Sequence, residues 1–119
     1  MTASPTELRA LIARLREFAD ARDWEQFHSP KNLAMALIVE TGELVEHFQW
    51  LTPEQAGRLS PEQLQAVELE MADVLLYLLR LADRLGVDLA AAAWRKIEIN
   101  ERKYPADKVR GSARKAEES

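Results

Sequence analysis

Two pairs of acidic residues sit inside stretches that are otherwise almost wholly apolar, and they restrict the possible folds more than any other feature. The first pair, Glu40 and Glu43, lies in Ala36-Leu37-Ile38-Val39-Glu40-Thr41-Gly42-Glu43-Leu44-Val45. The second, Glu70 and Asp73, lies in Leu69-Glu70-Met71-Ala72-Asp73-Val74-Leu75-Leu76-Tyr77. At i,i+3 spacing in a helix, both carboxylates of a pair fall on one side, one turn apart. Apolar flanks bury such helices, and an unpaired buried carboxylate costs on the order of several kcal/mol. Four carboxylates together repel and raise one another's pKa. If the two helices face each other, a divalent cation between them is the economical explanation. The competing reading leaves the acids solvated or paired with Arg and Lys, as expected for the flanking Glu46 and Glu68, with Glu46 alternatively backing up the site.

The remaining pattern is helical. Ser4-Pro5-Thr6-Glu7 is a capping box with proline at N1. Leu8, Leu11, Ile12, Leu15, Phe18 and Ala19 then recur at helical spacing, predicting a helix from about Pro5 to Ala21. Ser29-Pro30 starts a second helix, to about Phe48, with Leu33, Leu37, Leu44 and Phe48 in one stripe and Glu40, Glu43 and His47 on another face. Gly42 costs about 1 kcal/mol relative to alanine there, which predicts close approach of a ligand or a neighbouring helix. Thr52-Pro53-Glu54-Gln55 caps a short turn ending near Gly57. Ser60-Pro61-Glu62-Gln63 opens a long helix that stops at Gly86. Asp88 caps a last helix, from about Leu89 to Lys103.

No stretch alternates like a strand, so the expected fold is all-α, an antiparallel bundle of four main helices. Between Val74 and Ala82 the long helix is apolar nearly all round, so one face is expected to pack against another subunit. A chain of 119 residues suits a single domain. That domain is expected over residues 1–105, with 106–119 as a loose polar tail.

Charge and composition remove several functions. The net charge of −4 argues against nucleic-acid or anionic-membrane partners. The basic excess is confined to residues 101–119, which are either simply solvated or meet an anionic ligand. The lack of cysteine excludes disulfides, thiolate zinc and a Cys nucleophile, and fits the reducing cytoplasm. No secretory leader is visible, and the longest apolar run, Val74 to Leu79, is far too short to span a bilayer.

Four oxygen-donor side chains suit a hard cation, Mg²⁺ or Mn²⁺ in its place. Such ions keep waters and bind phosphates, which makes a nucleotide polyphosphate the natural substrate and water attack on phosphorus the natural reaction. A di-iron bundle site is disfavoured, because His47 stands at i+4 from Glu43 rather than at i+3. There is no Gly-rich phosphate loop and no G-x-S-x-G elbow. Phosphates would be held by the metal and by side chains such as Lys31, Lys96, Arg102 and Lys103; Lys96, Asn100 and Lys103 share one stripe. The connector Arg22-Asp23-Trp24-Glu25-Gln26-Phe27-His28 places two aromatics and a histidine where exposure is usual. Either Trp24 and Phe27 plug the end of the bundle, or they wall a flat aromatic ligand with His28 as a polar partner. Trp50 stands at another loop edge, and Tyr77 shares the face of Asp73.

These residues resemble the all-α nucleoside triphosphate pyrophosphohydrolases, the MazG-like superfamily, and within it the dCTP pyrophosphatase branch. The likeness rests on Glu40-x-x-Glu43 with Glu70-x-x-Asp73, on Arg22 to His28, on Gly42-Glu43-Leu44-Val45-Glu46-His47-Phe48-Gln49-Trp50, and on Asp73-Val74-Leu75-Leu76-Tyr77-Leu78. Asn100, Tyr104-Pro105 and Arg110-Gly111-Ser112-Ala113 extend it over nearly the whole chain. The resemblance implies hydrolysis of a nucleoside triphosphate to monophosphate and pyrophosphate with Mg²⁺, serving to clear unwanted deoxynucleotides. It implies Glu40, Glu43, Glu70 and Asp73 as metal ligands, one of them helping to deprotonate water. Trp24, Glu25, Gln26, Phe27 and His28, with Trp50 and Tyr77, would form the base and sugar pocket. Lys96, Asn100, Lys103 and Tyr104 would meet phosphates. A homotetramer, built as a dimer of dimers, is also implied. The chain departs from the animal members of that branch at Leu15, where a polar pocket residue is expected, and in the short loop before Ser60. A broader NTP or dUTP pyrophosphatase is the alternative within enzymes, and a non-catalytic helical interaction module the alternative outside them.

Overall fold

The computed structural model describes residues 5–112 and contains helices and turns, with no strand among those residues. The expected cap Ser4, and the tail from Ala113 onward, lie outside the described residues. Six α-helices follow one another: α1 (Pro5–Ala21), α2 (Pro30–Glu46), α3 (Pro53–Ala56), α4 (Pro61–Leu85), α5 (Leu89–Lys103) and α6 (Ala106–Val109). A single 3-10 turn, Glu25–Phe27, lies between α1 and α2. The all-α class is therefore as the sequence predicts, with four long helices. Among the described residues no helix is long and apolar enough to cross a membrane.

Local chemistry explains where α2 to α5 begin and where α4 ends. Ser29 Oγ accepts from the Asn32 amide at 3.1 Å and caps α2. Thr52 with Gln55, and Ser60 with Gln63, form reciprocal capping boxes on α3 and α4. Asp88 Oδ1 accepts from the Ala91 amide at 3.0 Å at the start of α5. Gly86 ends α4 in the left-handed conformation, φ 70°, where a side chain would be strained. The tail differs from expectation: Val109 and Arg110 amides donate to Pro105 and Ala106 carbonyls, closing one helical turn after the proline.

Two compact units divide at Val87 and Asp88. In the first, α4 packs along α2 and also against α1. Ala19, Leu33, Val67, Leu79 and Ala82 form its buried core. Arg16 of α1 meets Asp83 near the end of α4, while Leu11, one turn or more earlier, shares a cavity with Asp73 and Leu76, so α1 and α4 run the same way. His28, before α2, meets Arg80, and His47, after it, meets Glu70. Thus α2 runs opposite to α4. Within this unit Gly42 has open space around it: beyond its chain neighbours and its own stretch of helix backbone, no described atom lies within 4 Å of an added Cβ. The expected neighbouring helix at Gly42 is absent among the described residues.

The second unit holds α5 and α6. Trp94, Ile97 and Ile99 leave an apolar strip of α5 exposed. Asn100 and Lys103 are half-buried, and the Lys103 ammonium lies 5.9 Å from the Tyr104 ring centroid.

Candidate active site

The antiparallel packing of α2 on α4 delivers three carboxylates to one place. One oxygen from each of Glu40, Glu43 and Glu70 lies within 4.8 Å of the others. Glu40 and Glu70 are half-buried, and Glu40 Oε2 and Glu70 Oε2 are buried without any hydrogen-bond donor. Such oxygens are costly unless a proton or cation lies against them. The Glu70 carboxylate beside it, and then burial, raise the Glu40 pKa above the ordinary value, with the charge of Asp73 adding to the effect and Glu43 opposing it. Glu43 is also raised, chiefly by the Glu40 charge. A hard divalent ion fits this donor set: buried oxygen acceptors, no nitrogen or sulfur within the trio, and anionic charge in excess. His47 Nε2 stands 3.9 Å from Glu70 Oε1 at the rim. Glu46 and Glu68 are exposed, as expected of surface acids.

Asp73 lies outside the trio, exposed, one turn along α4 from Glu70, and lines a cavity of about 500 Å³. That volume suits a small organic ligand. Leu11, Leu15 and Phe18 of α1 supply one apolar side, and Trp24 and His28 close another. Leu76, Tyr77 and Arg80 of α4 complete it, with Arg14 at its edge. The Trp24 ring meets Phe18 edge-on at 5.6 Å and His28 at 6.0 Å between centroids. Helical spacing explains the grouping on α4: Asp73, Leu76, Tyr77 and Arg80 recur at steps of three and four.

Behind His28 stands a polar network that ties the 3-10 turn to α4. Arg80, 4% exposed, is the one buried charged residue among those described. It donates from Nε to His28 Nδ1 at 3.1 Å, from Nη1 to Asp83 Oδ2 at 3.2 Å, and from Nη2 to Glu25. Arg84 donates to the second Glu25 oxygen, and Arg16 reaches across from α1 to Asp83. The Arg80 hydrogen bond holds Glu25 below the usual carboxylate range, and Arg16 does the same for Asp83.

The structure gathers Trp24, His28, Tyr77 and Asp73 around one cavity. Glu25 instead faces the arginines. Gln26 donates to the Asp23 carbonyl and carboxylate at 3.0 and 3.1 Å, steadying a residue with φ 55°. Phe27 and Trp50 lie outside the cavity; Trp50 is 86% exposed. Phe27 is also largely exposed, so it plugs nothing among the described residues. Lys96, Asn100, Lys103 and Tyr104 belong to the second unit, and Lys31 is exposed on α2. The residue sequence reasoning overlooked is Arg80, although a charge in Leu78-Leu79-Arg80-Leu81-Ala82 was a visible signal that a buried partner must exist.

The sequence profile of the MazG-like family matches residues 35–118. The chain belongs to the MazG-like family. This MazG-like chain is 50% identical to dCTP pyrophosphatase 1 of Homo sapiens over 115 residues, 94% of its own length and 68% of the human protein. It is 46% identical to dCTP pyrophosphatase 1 of Mus musculus over 113 residues, 92% of its own length and 66% of the mouse protein. Among solved structures it is similar to a pyrophosphatase from Archaeoglobus fulgidus DSM 4304. The TM-score is 0.80 at 40% identity, over 88% of this chain and 98% of that one.

Proposed function

We propose that this MazG-like chain is a Mg²⁺-dependent nucleoside triphosphate pyrophosphohydrolase, converting dCTP or a modified dCTP to dCMP and pyrophosphate. Mn²⁺ is a possible substitute for Mg²⁺. One observation carries the reading: the carboxylate trio and the aromatic cavity adjoin through Asp73, which lines the cavity and whose charge is felt at Glu40. The names of the mammalian relatives support the choice of dCTP.

Glu40, Glu43, Glu70 and Asp73 would hold the metal, which when bound supplies charge neutralisation of the phosphates and a more acidic water. The raised pKa of Glu40 or Glu43 suits a carboxylate that accepts a proton from that water. Trp24 offers a ring face to a base, and His28 and Tyr77 offer polar contacts to base and sugar. Glu25 and Gln26 act indirectly, by fixing the turn that carries Trp24 and His28. Phe27 and Trp50 join the pocket only if substrate or a second chain draws them in. Lys96, Asn100, Lys103 and Tyr104 are assigned to phosphate contacts on the family resemblance.

The catalytic domain is residues 1–105, with 106–119 as a polar extension. We place the enzyme in the cytoplasm as a homotetramer, a dimer of dimers, clearing unwanted deoxynucleotides. Exposed Met35, Ile38 and Val45 on α2, with Leu69 and Met71 on α4, support self-association. A broader NTP or dUTP specificity is favoured by one fact: Trp50 stands away from the cavity and leaves it with a single tryptophan wall.

Pyrophosphate release from a panel of NTPs and dNTPs, with Mg²⁺ and with EDTA, tests the proposal. Metal-dependent release confined to dCTP and its 5-substituted forms is the expected result. Release from many nucleotides would keep the chemistry and widen the specificity. Release from none would bring the non-catalytic module forward.

A further inference from the structure

Arg80 has a consequence for recognition that its role as a structural tie does not cover. A guanidinium only donates hydrogen bonds and stays protonated. The contact from Arg80 Nε to His28 Nδ1, 3.1 Å, therefore requires an unprotonated Nδ1. In a neutral imidazole the proton must then sit on Nε2. Nε2 makes no hydrogen bond with the described residues, while the ring lines the cavity beside Trp24 and Tyr77.

We propose that Arg80 is a positioning residue that sets base specificity through His28, by locking the ring as a hydrogen-bond donor at Nε2. This rests on the nucleotide-hydrolase reading above. A fixed donor pairs with the unprotonated N3 of cytosine. It meets N–H against N–H at N3 of uracil or thymine, where two donors leave both unsatisfied. Without the lock, the ring can exchange tautomers and accept from uracil N3–H as readily.

The charged groups facing the ring agree with a neutral imidazole. Arg80 and Arg84 disfavour its protonation, and Glu25 favours it but is itself engaged by both arginines. Burial is the largest influence and keeps the His28 pKa below its ordinary value. Holding the tautomer is thus a property of Arg80 placement, and Glu25 and Asp83 serve to fix that placement.

Two measurements test the proposal on the full chain. Long-range proton–nitrogen NMR reads the tautomer directly. With two histidines in the chain, the His28 signals are those lost in His28→Gln. The neutral Nε2–H form is expected in the wild type, and the Nδ1–H form would overturn the proposal. In kinetics, Arg80→Lys keeps the charge and removes the Nε donor. The dCTP-to-dUTP ratio of kcat/KM is expected to fall about tenfold, through KM, with kcat for dCTP within about twofold. A structural role alone would slow both substrates alike and leave the ratio unchanged, which overturns the proposal.

If the wild type hydrolyses neither nucleotide, the hydrolase reading fails by itself. Titration of dCMP and dUMP against the wild-type His28 signals then decides the recognition claim, and also does so if Arg80→Lys does not fold. Tighter binding of dCMP with the Nε2–H form retained supports it. Equal binding of the two overturns it.

Discussion

At the scale of single residues, the acidic trio makes the sharpest demand. Glu43 is exposed, so replacing it costs little in packing, yet it contributes one of three converging oxygens. Glu43→Gln is expected to lower pyrophosphate release at least about 100-fold, since the metal site loses a charged ligand, while far-UV helicity stays nearly intact. Full activity in that variant would remove these carboxylates from the mechanism. Gly42 makes the opposite kind of prediction. Its added Cβ meets nothing within the described chain, so Gly42→Ala should stabilise α2 by about 0.5–1 kcal/mol in denaturant unfolding. A loss of stability would mean that a second chain or the substrate closes on that face.

The elements of the first unit are joined at one end by charge. Arg16 brings in α1, Glu25 the 3-10 turn, and Arg80, Asp83 and Arg84 lie on α4. Glu25 and Asp83 both have folded-state pKa values below the ordinary 4.5 and 3.8. Groups shifted in that direction contribute stability that is complete above the unfolded pKa and is lost as pH falls through the folded one. Thermal unfolding is therefore expected to steepen below about pH 4 in the wild type, and to depend less on pH there in Glu25→Gln. Equal acid limbs would show that the ion pairs contribute nothing. The partly exposed Glu25 and Arg84 are screened by solvent, whereas Arg80, buried between its partners, is not.

For the whole molecule, the raised Glu40 and Glu43 reverse that sign. Folding holds their protons more tightly, so the metal-free protein loses stability as pH rises from the ordinary 4.5 through the higher folded values. A bound cation offsets this repulsion and stabilises by mass action. Adding Mg²⁺ at pH 7.5 should raise Tm, and the increment should shrink toward pH 4.5 and be small in Glu40→Gln. An increment independent of pH would place the ion elsewhere.

Helix boundaries could be read from the residues alone because caps and periodicity are local. Ser29-Pro30, Thr52-Pro53, Ser60-Pro61, Asp88 and Gly86 act on backbone groups within a few positions, whatever the rest of the chain does. The i,i+3 acids carried the cation hypothesis for the same reason: a helix sets their geometry, and burial makes the Glu40 and Glu70 oxygens costly, although Glu43 and Asp73 are exposed. Other features depend on which helix lies beside which, and that is decided by packing. The antiparallel run of α2 against α4 joins Glu70 to Glu40 and Glu43 while leaving Asp73 at the cavity. The parallel run of α1 with α4 brings Leu15 and Phe18 to the same cavity as Tyr77, and Trp50 lies outside it. The family resemblance put both Glu25 and His28 at the base and sugar pocket. Burial of Arg80 sent one to an ion pair and the other to the cavity, because a buried guanidinium must find acceptors for its donors wherever the fold provides them.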